Sequence, residues 1–175
     1  MRSKVLLVLL GISLFAPSCL TPKKAAKRKR TYMERTYTSI KEALNDADVQ
    51  LLSDTVKVIF KSPVMFEFNR AEISTTLFPS FQRFADVLNE KKKTKLMIAG
   101  HTDSVGGDNA NNLALSIRRA DSAKNLLIYY KLPATRVYTW GMGAKEPIAP
   151  NATEEGRAKN RRIEFTVLYN YKDEH

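Results

Sequence analysis

Residues 95–121 read KLMIAGHTDSVGGDNANNLALSIRRAD, and the turn inside this stretch organises the rest of the chain. An apolar run stops at Gly100, a loop rich in Gly, Asp and Asn follows, and apolar residues then recur at helical spacing. The pattern predicts a strand, a shaped loop and a helix, an arrangement that commonly builds a binding site. Charged residues flank the loop, with Asp103 near its start and Arg118 and Arg119 after its end.

Outward from this stretch, strand and helix patterns alternate along the chain. Strand patterns occur at residues 56–60, 96–99, 136–140 and 162–169. Helix patterns occur at residues 77–88, 113–127 and 151–159, the last with Asn151 and Glu154 as a capping pair. The order from residue 56 is therefore β-α-β-α-β-(short α)-β. This order predicts an α/β (α+β) two-layer sandwich, with a mixed sheet covered by helices on one side.

The segments before this alternation are less regular. Residues 64–68 continue the apolar pattern beyond Pro63, and with residues 56–60 they form either one bulged strand or a hairpin. Residues 31–54 are an extension with a short helix, in which Ser39 and Glu42 match a capping box. The main domain is expected at residues 55–170, and residues 171–175 are a polar tail.

Residues 1–18 predict an export signal. Two basic residues precede an apolar run of eleven residues at 5–15, shorter than the roughly 20 residues of a membrane-spanning helix. Cys19 is the single cysteine, so no intramolecular disulfide can form. The segment resembles the lipobox of bacterial lipoproteins, in which the cysteine becomes the lipidated first residue of the mature chain. Ala16 stands where the lipobox usually has Leu, and conventional cleavage after Ser18 is the alternative.

Most of the net charge of +11 lies at the N-terminus. Residues 1–30 contain eight basic residues and no acidic one, so subtracting eight leaves +3 for residues 31–175. Residues 19–30 are predicted to be the lipidated cysteine and a basic, flexible linker without regular structure. Six basic residues beside a membrane could be attracted to anionic head groups, but a solvated tether is the simpler interpretation. The mildly basic remainder argues against nucleic acid as a partner.

Catalytic patterns are absent from the sequence. There are two histidines, and no Cys cluster, His-Glu-x-x-His or Gly-x-Ser-x-Gly motif occurs. His101 and Asp103 could supply two metal ligands, but the motif offers no third. We therefore expect a protein that is not an enzyme and that uses no cofactor and no metal.

The charged loop suits a zwitterionic ligand. Asp103 can accept hydrogen bonds from an ammonium group, and an arginine at the start of the following helix can hold a carboxylate through its planar fork. Backbone N–H groups near Gly106 and Gly107 could add donors for the same anion. The alternative is that Asp103 and an arginine pair with each other and brace the loop. Residue chemistry alone leaves both interpretations open.

A resemblance to a known family favours the ligand-binding interpretation of Asp103 over the ion-pair interpretation. The motif residues are Gly100, His101, Thr102, Asp103, Gly106, Asn112, Leu115, Ser116, Arg118, Arg119 and Ala120, then Gly141, Gly143, Glu146, Pro147, Asn151, Thr153, Gly156, Arg157, Asn160, Arg161 and Arg162. Together with Phe66–Asn69, they resemble the OmpA-like C-terminal domain over roughly residues 55–170. That family includes peptidoglycan-associated lipoproteins and flagellar stator B subunits.

The resemblance implies non-covalent binding of peptidoglycan through the diaminopimelate of its stem peptide. One Asp and one Arg of the family hold the zwitterionic end, and they correspond to Asp103 and Arg119. Weaker correspondences as ligand-binding residues are Thr102, Asn112, Asn69 and Arg161. The sequence departs from the family pattern in a loop one residue longer between Gly106 and Asn112, in Asn111 for the usual Tyr, and in Asn69 where Asp is common.

A structural role competes with the ligand-binding role at the second arginine cluster. Arg161 and Arg162 precede a predicted exposed strand, where arginines often solubilise the surface or bridge to acidic neighbours such as Glu154 and Glu155. For these two arginines we expect the structural role to be more important than ligand binding.

The leading hypothesis is thus an outer-membrane, periplasm-facing lipoprotein that tethers the membrane to peptidoglycan, with the membrane contacted through lipid on Cys19. The alternative is a periplasmic module that binds other envelope proteins and touches the wall incidentally. In that case the apolar residues between 56 and 68 would contribute to a protein interface.

Overall fold

The computed structural model describes residues 21–61, 65–67, 69–105 and 109–170. Its helices are α1 (Pro22–Ala43), α2 (Phe78–Glu90), α3 (Asn109–Tyr129) and α4 (Glu154–Asn160). Its strands are β1 (Asp48–Leu52), β2 (Thr55–Lys61), β3 (Thr94–His101), β4 (Val137–Gly143) and β5 (Arg162–Tyr169). Predicted features at residues 1–20 and 171–175, including Cys19 and the signal segment, lie outside the described residues.

One five-stranded sheet has the order β1-β2-β5-β3-β4. β3 and β4 are parallel, whereas the β1–β2, β2–β5 and β3–β5 pairs are antiparallel. The predicted mixed sheet and the β-α-β-α-β-(short α)-β order from residue 56 are therefore confirmed. β1 was not predicted, and it forms a hairpin with β2 through Ser53, whose φ of 57° lies in the left-handed region.

Helices cover one face of the sheet, as predicted. Along β3 and β5, buried residues alternate with half-exposed ones, which is the pattern of a sheet with one core face. Phe60, Phe81, Phe84 and Phe165 form the aromatic centre of this core, with ring centroids 5.5–5.9 Å apart. Burial of such rings is the main apolar contribution to the stability of the domain.

Within the apolar run predicted at residues 56–68, every second residue of β2 faces inward. Val56, Val58 and Phe60 are buried in the core, so the predicted use of this run as a protein interface is wrong for β2. Beyond the undescribed residues 62–64, the chain does not continue as a strand. Phe66 makes only an isolated bridge with Ile73, and Met65 is buried beside it, so no second extended strand alternates there.

The basic linker is helical, which corrects the expectation of a flexible segment at residues 19–30 for its described part. α1 starts at Pro22, a residue whose fixed φ suits the first helical position. Met33, Thr36 and Ile40 anchor the second half of α1 in the core. Once that half is fixed, each further residue adds one hydrogen bond, and Ala, Lys and Arg are good helix formers. The helix therefore extends backward through the basic stretch.

Both predicted capping pairs are wrong. Ser39 lies inside α1, where its hydroxyl donates to the carbonyl of Arg35 over 3.0 Å. α4 is capped by Thr153, whose Oγ1 accepts a hydrogen bond from Gly156 over 3.1 Å. Asn151 instead accepts from the Ser104 amide, as described below. Such local patterns occur by chance, and burial of the helix selects the end that forms.

Two glycines bring α3 close to the sheet. A Cβ on Gly100 would lie 2.2 Å from the Ser116 carbonyl oxygen, and a Cβ on Gly141 would lie 2.7 Å from its Oγ. Only glycine permits this approach, which places the start of α3 directly over the ends of β3 and β4. Among the helices in the described ranges, none has both the length and the hydrophobicity required to cross a bilayer.

Candidate functional site

Asp103 lies two residues beyond the carboxyl end of β3, as predicted. The Thr102 amide donates to the Gly143 carbonyl over 2.9 Å, which extends the pairing with β4 by one step. One Asp103 oxygen, Oδ1, accepts the Val105 amide over 3.0 Å and so folds the start of the loop back. Asn112 of α3 approaches the Asp103 carbonyl at 3.4 Å. The carboxylate is thereby held between the sheet and α3, with residue exposure of 9%.

The second carboxylate oxygen of Asp103 binds Arg161. Arg161 Nη1 lies 2.7 Å from Asp103 Oδ2, and Nη2 lies 2.6 Å from Glu154 Oε1. Burial lowers the pKa of Arg161, but the hydrogen bonds and charges of Asp103 and Glu154 outweigh that effect and raise it. Hydrogen bonds from Arg161 and Arg157 hold the pKa of the Glu154 carboxyl below its usual value. Arg161 therefore remains charged and connects the loop after β3 to the first residue of α4.

Arg119 is buried next to this ion pair, with exposure of 4%. Its Nε donates to the Arg70 carbonyl over 2.9 Å, and its guanidinium lies 4.9 Å from the centre of the Phe66 ring. Burial foremost, then the charge of Arg161, lowers its pKa to about 10, while the charge of Asp103 acts in the opposite sense. The group is thus still charged at neutral pH.

The terminal nitrogens of Arg119 donate no hydrogen bond within the described residues, in contrast to its Nε. Arg118, its neighbour, is exposed. Burial and stacking therefore distinguish Arg119 from Arg118, and the predicted role of Arg119 in ligand binding stays a prediction.

The structure brings together Asp103, Asn112, Arg119 and Arg161, whereas two other predicted site residues are placed differently. Thr102 Oγ1 is sealed from solvent, so it does not reach the surface of the site. Asn69 is exposed with a φ of 55°, and its link to the site is through the next residue, Arg70, whose carbonyl binds Arg119. The predicted backbone donors at Gly106 and Gly107 lie outside the described residues.

Two asparagines that shape the site, Asn151 and Asn160, were not predicted as site residues from the sequence. Asn160 Oδ1 accepts the amides of Ile148 and Ala149, and its Nδ2 donates to Asn151 Oδ1 over 3.0 Å. Asn151 Oδ1 also accepts the Ser104 amide over 3.2 Å, which ties the loop after β3 to the loop before α4. Both asparagines belong to the motif quoted above, and that membership was the available signal.

His101 has an unusual environment on the opposite, open face of the sheet. It is 1% exposed, neither ring nitrogen has a hydrogen-bond partner in the described part of the chain, and Glu164 Oε1 lies 3.9 Å away. Glu164 is itself bound by Lys57 at 2.8 Å and by Arg162 at 2.7 Å. Burial, followed by the charge of Arg162, lowers the pKa of His101 to about 4. The imidazole is therefore neutral at pH 7.

Arg162 belongs to this buried group with His101 and Glu164, whereas Arg161 lies at the candidate site. It is 2% exposed, and its guanidinium also donates to the Asn160 and Glu146 carbonyls, both at 3.3 Å. The two adjacent arginines thus point to different environments, with Arg161 at the candidate site and Arg162 under the sheet. No group of His, Cys, Asp or Glu side chains in the described ranges is arranged to hold a metal ion.

The open mixed sheet and the charged loop after β3 define an OmpA-like domain. Residues 65–161 match the profile of the OmpA family, which is more than half of the chain, and the chain belongs to that family.

Two individual proteins are similar to this chain over much of its length. The chain is 34% identical over 138 residues to the probable lipoprotein YiaD of Escherichia coli K12, covering 78% of this chain and 63% of YiaD. It is 33% identical over 116 residues to the peptidoglycan-binding protein ArfA of Mycobacterium bovis, covering 66% of this chain and 35% of ArfA. The chain thus spans less than two thirds of either relative.

A solved structure shares the fold. The cell wall anchor of the T6SS from Pseudomonas aeruginosa superimposes with a TM-score of 0.67 at 30% identity, covering 81% of this chain and 99% of that one.

Proposed function

We propose that this protein binds peptidoglycan non-covalently and holds the zwitterionic end of a stem-peptide diaminopimelate between Asp103 and Arg119. The observation that carries the proposal is the nearly buried Asp103 carboxylate beside a buried Arg119, whose Nη groups donate no hydrogen bond within the described residues. A relative named as a peptidoglycan-binding protein and a structure titled as a cell wall anchor support the choice of ligand.

The geometry suggests an exchange of partners at Asp103. A ligand ammonium takes the place of Arg161 at Oδ2, and the freed guanidinium turns toward the ligand carboxylate together with the Nη groups of Arg119. Each charge-assisted hydrogen bond contributes about 1.5–3 kcal/mol net. Because the Asp103–Arg161 bond must first break, the sum gives single-site affinity on the order of micromolar. Such affinity suffices where a polymer presents many ligands to a tethered domain.

In this proposal, the protein is attached to the membrane through lipid on Cys19. Lipidation there would attach the domain stably, since the acyl chains of a lipoprotein exceed the single chain that gives only marginal binding. Similarity to a probable lipoprotein of Escherichia coli supports this anchor, and we propose an outer-membrane location facing the periplasm. Mass spectrometry of the mature N-terminus tests the anchor, because an unmodified chain starting at Cys19 or elsewhere would exclude it.

Co-sedimentation with purified sacculi tests the wall-binding site. Asp103→Asn removes the charge but keeps the shape and should weaken binding at least tenfold, and Arg119→Gln should do the same. Arg118→Gln is the matched control, because it removes the same charge one residue away from an exposed position. Thermal unfolding verifies that each variant is folded. Equal binding by wild type and both site variants would contradict the assignment.

A further inference from the structure

The first half of α1 is a basic arm, defined here as residues 22–31. It contains six cations and no acidic residue, and its first turn has no acid to balance the positive end of the helix dipole. The six cations are Lys23, Lys24, Lys27, Arg28, Lys29 and Arg30. Like charges four residues apart, such as Lys23 and Lys27, also repel each other. The cations of the arm therefore repel one another, and this repulsion destabilises the first half of α1.

Most of these charges have no acidic partner. Lys29 forms an ion pair with Asp54, and Arg30 pairs with Glu34. The others, Lys23, Lys24, Lys27 and Arg28, are exposed and pair with no acid in the described part of the chain. Three of them line one surface depression together with Arg35. Four cations without an acidic partner thus lie close together on the arm.

The arm projects beyond the packed domain. The buried residues of α1 all follow it, at Met33, Thr36 and Ile40. Tyr32, directly after the arm, packs edge-on against Tyr169 at 5.4 Å and accepts a hydrogen bond from the Lys93 amide over 3.1 Å. At about 1.5 Å per residue, the ten residues before Tyr32 extend the helix roughly 15 Å past this contact.

The arm and the candidate wall site lie at opposite ends of the sheet. Tyr169 ends β5 and pairs with Thr94, the first residue of β3, whereas Asp103 follows the last residue of β3. The Asp54 turn bound by Lys29 lies at the same end as Tyr169, since Val56 pairs with Val167. The eight residues of β3 separate the two ends by roughly 26 Å.

We propose that the basic arm binds the anionic phospholipid head groups of the membrane, so that the domain carries its membrane contact and its wall site at opposite ends. The proposal rests on the proposed membrane attachment, because only Leu20 and Thr21 lie between Cys19 and Pro22, a reach of at most about 11 Å. Charge complementarity selects an anionic surface, and the opposite position of Asp103 favours the membrane over the wall as that surface. The arm lacks large apolar side chains, so the contact is electrostatic and sensitive to salt.

Vesicle co-sedimentation with the full chain tests this contact. The probes are vesicles of phosphatidylcholine alone and vesicles with about 30% phosphatidylglycerol, and the readout is the ratio of the two partition coefficients, which cancels any apolar contribution of the leader. The arm variant replaces Lys23, Lys24, Lys27 and Arg28 with Gln, which preserves helix propensity. The control variant replaces Arg118, Lys124, Lys145 and Lys159 with Gln, which removes the same charge from positions outside the arm.

Each free cation near an anionic surface strengthens binding roughly fivefold, so the arm variant, which loses four cations, should lose up to roughly several hundredfold of the phosphatidylglycerol preference. The control variant should retain most of it, and about 0.5 M salt should abolish it in the wild type. Equal losses in both variants, or no loss in the arm variant, would overturn the proposal. Loss of sacculus binding without loss of vesicle preference would assign the arm to the wall instead. Asp103→Asn should leave the vesicle preference intact, which separates this test from that of the wall site.

Discussion

Arg161 holds Asp103 across 58 residues of sequence, with 2.7 Å between Nη1 and Oδ2, and its other terminal nitrogen holds Glu154 at 2.6 Å. The Arg161 side chain is 25% exposed, so solvent and ligands reach this pair from outside. Arg161 thus occupies the Asp103 oxygen that a ligand ammonium would need, and it carries the charge that a ligand carboxylate would use.

Arg161→Gln is expected to weaken sacculus binding about tenfold or more, because the loss of a carboxylate partner outweighs the easier access to Asp103. Stability should fall by no more than about 1 kcal/mol, since the pair is partly exposed. Co-sedimentation and urea unfolding measure the two effects. Glu154→Gln is the control, because it frees one side of Arg161 without removing its charge. Tighter binding by Arg161→Gln would show that Arg161 only blocks the site.

The buried imidazole of His101 should make stability depend on pH. Its pKa is lowered from 6.5 to about 4, so between these values the unfolded chain binds a proton that the folded protein does not. Its contribution is complete above about pH 6.5 and is lost as the pH falls to about 4, by roughly 3 kcal/mol in total. Urea unfolding at steps from pH 7 to pH 4.5 measures the slope.

His101→Gln should flatten this slope, and His175→Gln, which changes the other histidine, should not. The pKa of Glu164 is also lowered, because Lys57 and Arg162 outweigh the effect of its burial, so its stabilisation is lost only below its usual pKa of 4.5. The window between pH 4.5 and 6.5 therefore isolates the histidine. Parallel curves for wild type and His101→Gln would refute the explanation.

Gly100→Ala should destabilise the domain more than Gly143→Ala. The new Cβ at Gly100 would lie 2.2 Å from a backbone oxygen of Ser116, which only a shift of α3 can relieve, at a cost of roughly 2–3 kcal/mol. At Gly143 the nearest atom is 3.3 Å away, and the cost is the left-handed φ of 56°, about 1 kcal/mol. Denaturant unfolding of both variants gives the order, and the reverse order would contradict the close packing of α3.

Met33→Ala should test whether α1 belongs to the folded domain. Met33 is fully buried in the core, so its truncation is expected to destabilise the protein by about 2–5 kcal/mol. Lys27→Ala in the exposed arm should change stability by less than about 0.5 kcal/mol. An unchanged unfolding transition in Met33→Ala would mean that the domain begins after α1, near the predicted boundary at residue 55.

The sequence was most informative where local patterns coincide with burial. Alternation of apolar residues in β5 and the helical spacing of the Phe residues in α2 predicted elements that the structure contains. The short helix predicted within residues 31–54 is present as the second half of α1, but the same approach failed at the first half of α1 and at β1. In the first half of α1, a charged stretch without apolar periodicity is helical because it continues a helix that is buried further along.

By itself, the sequence determined the order of strands and helices and the placement of Asp103 two residues beyond β3, and it predicted Arg119 rather than Arg118 as the ligand-binding arginine. These features follow from periodicity, turn residues and a family motif. Only the tertiary structure decided that Arg161 pairs with Asp103, that Arg162 pairs with Glu164, and that the basic arm lies at the far end of the sheet. Ion pairs between distant residues depend on which strand ends meet and which side chains lose water there, and neither is encoded in local spacing.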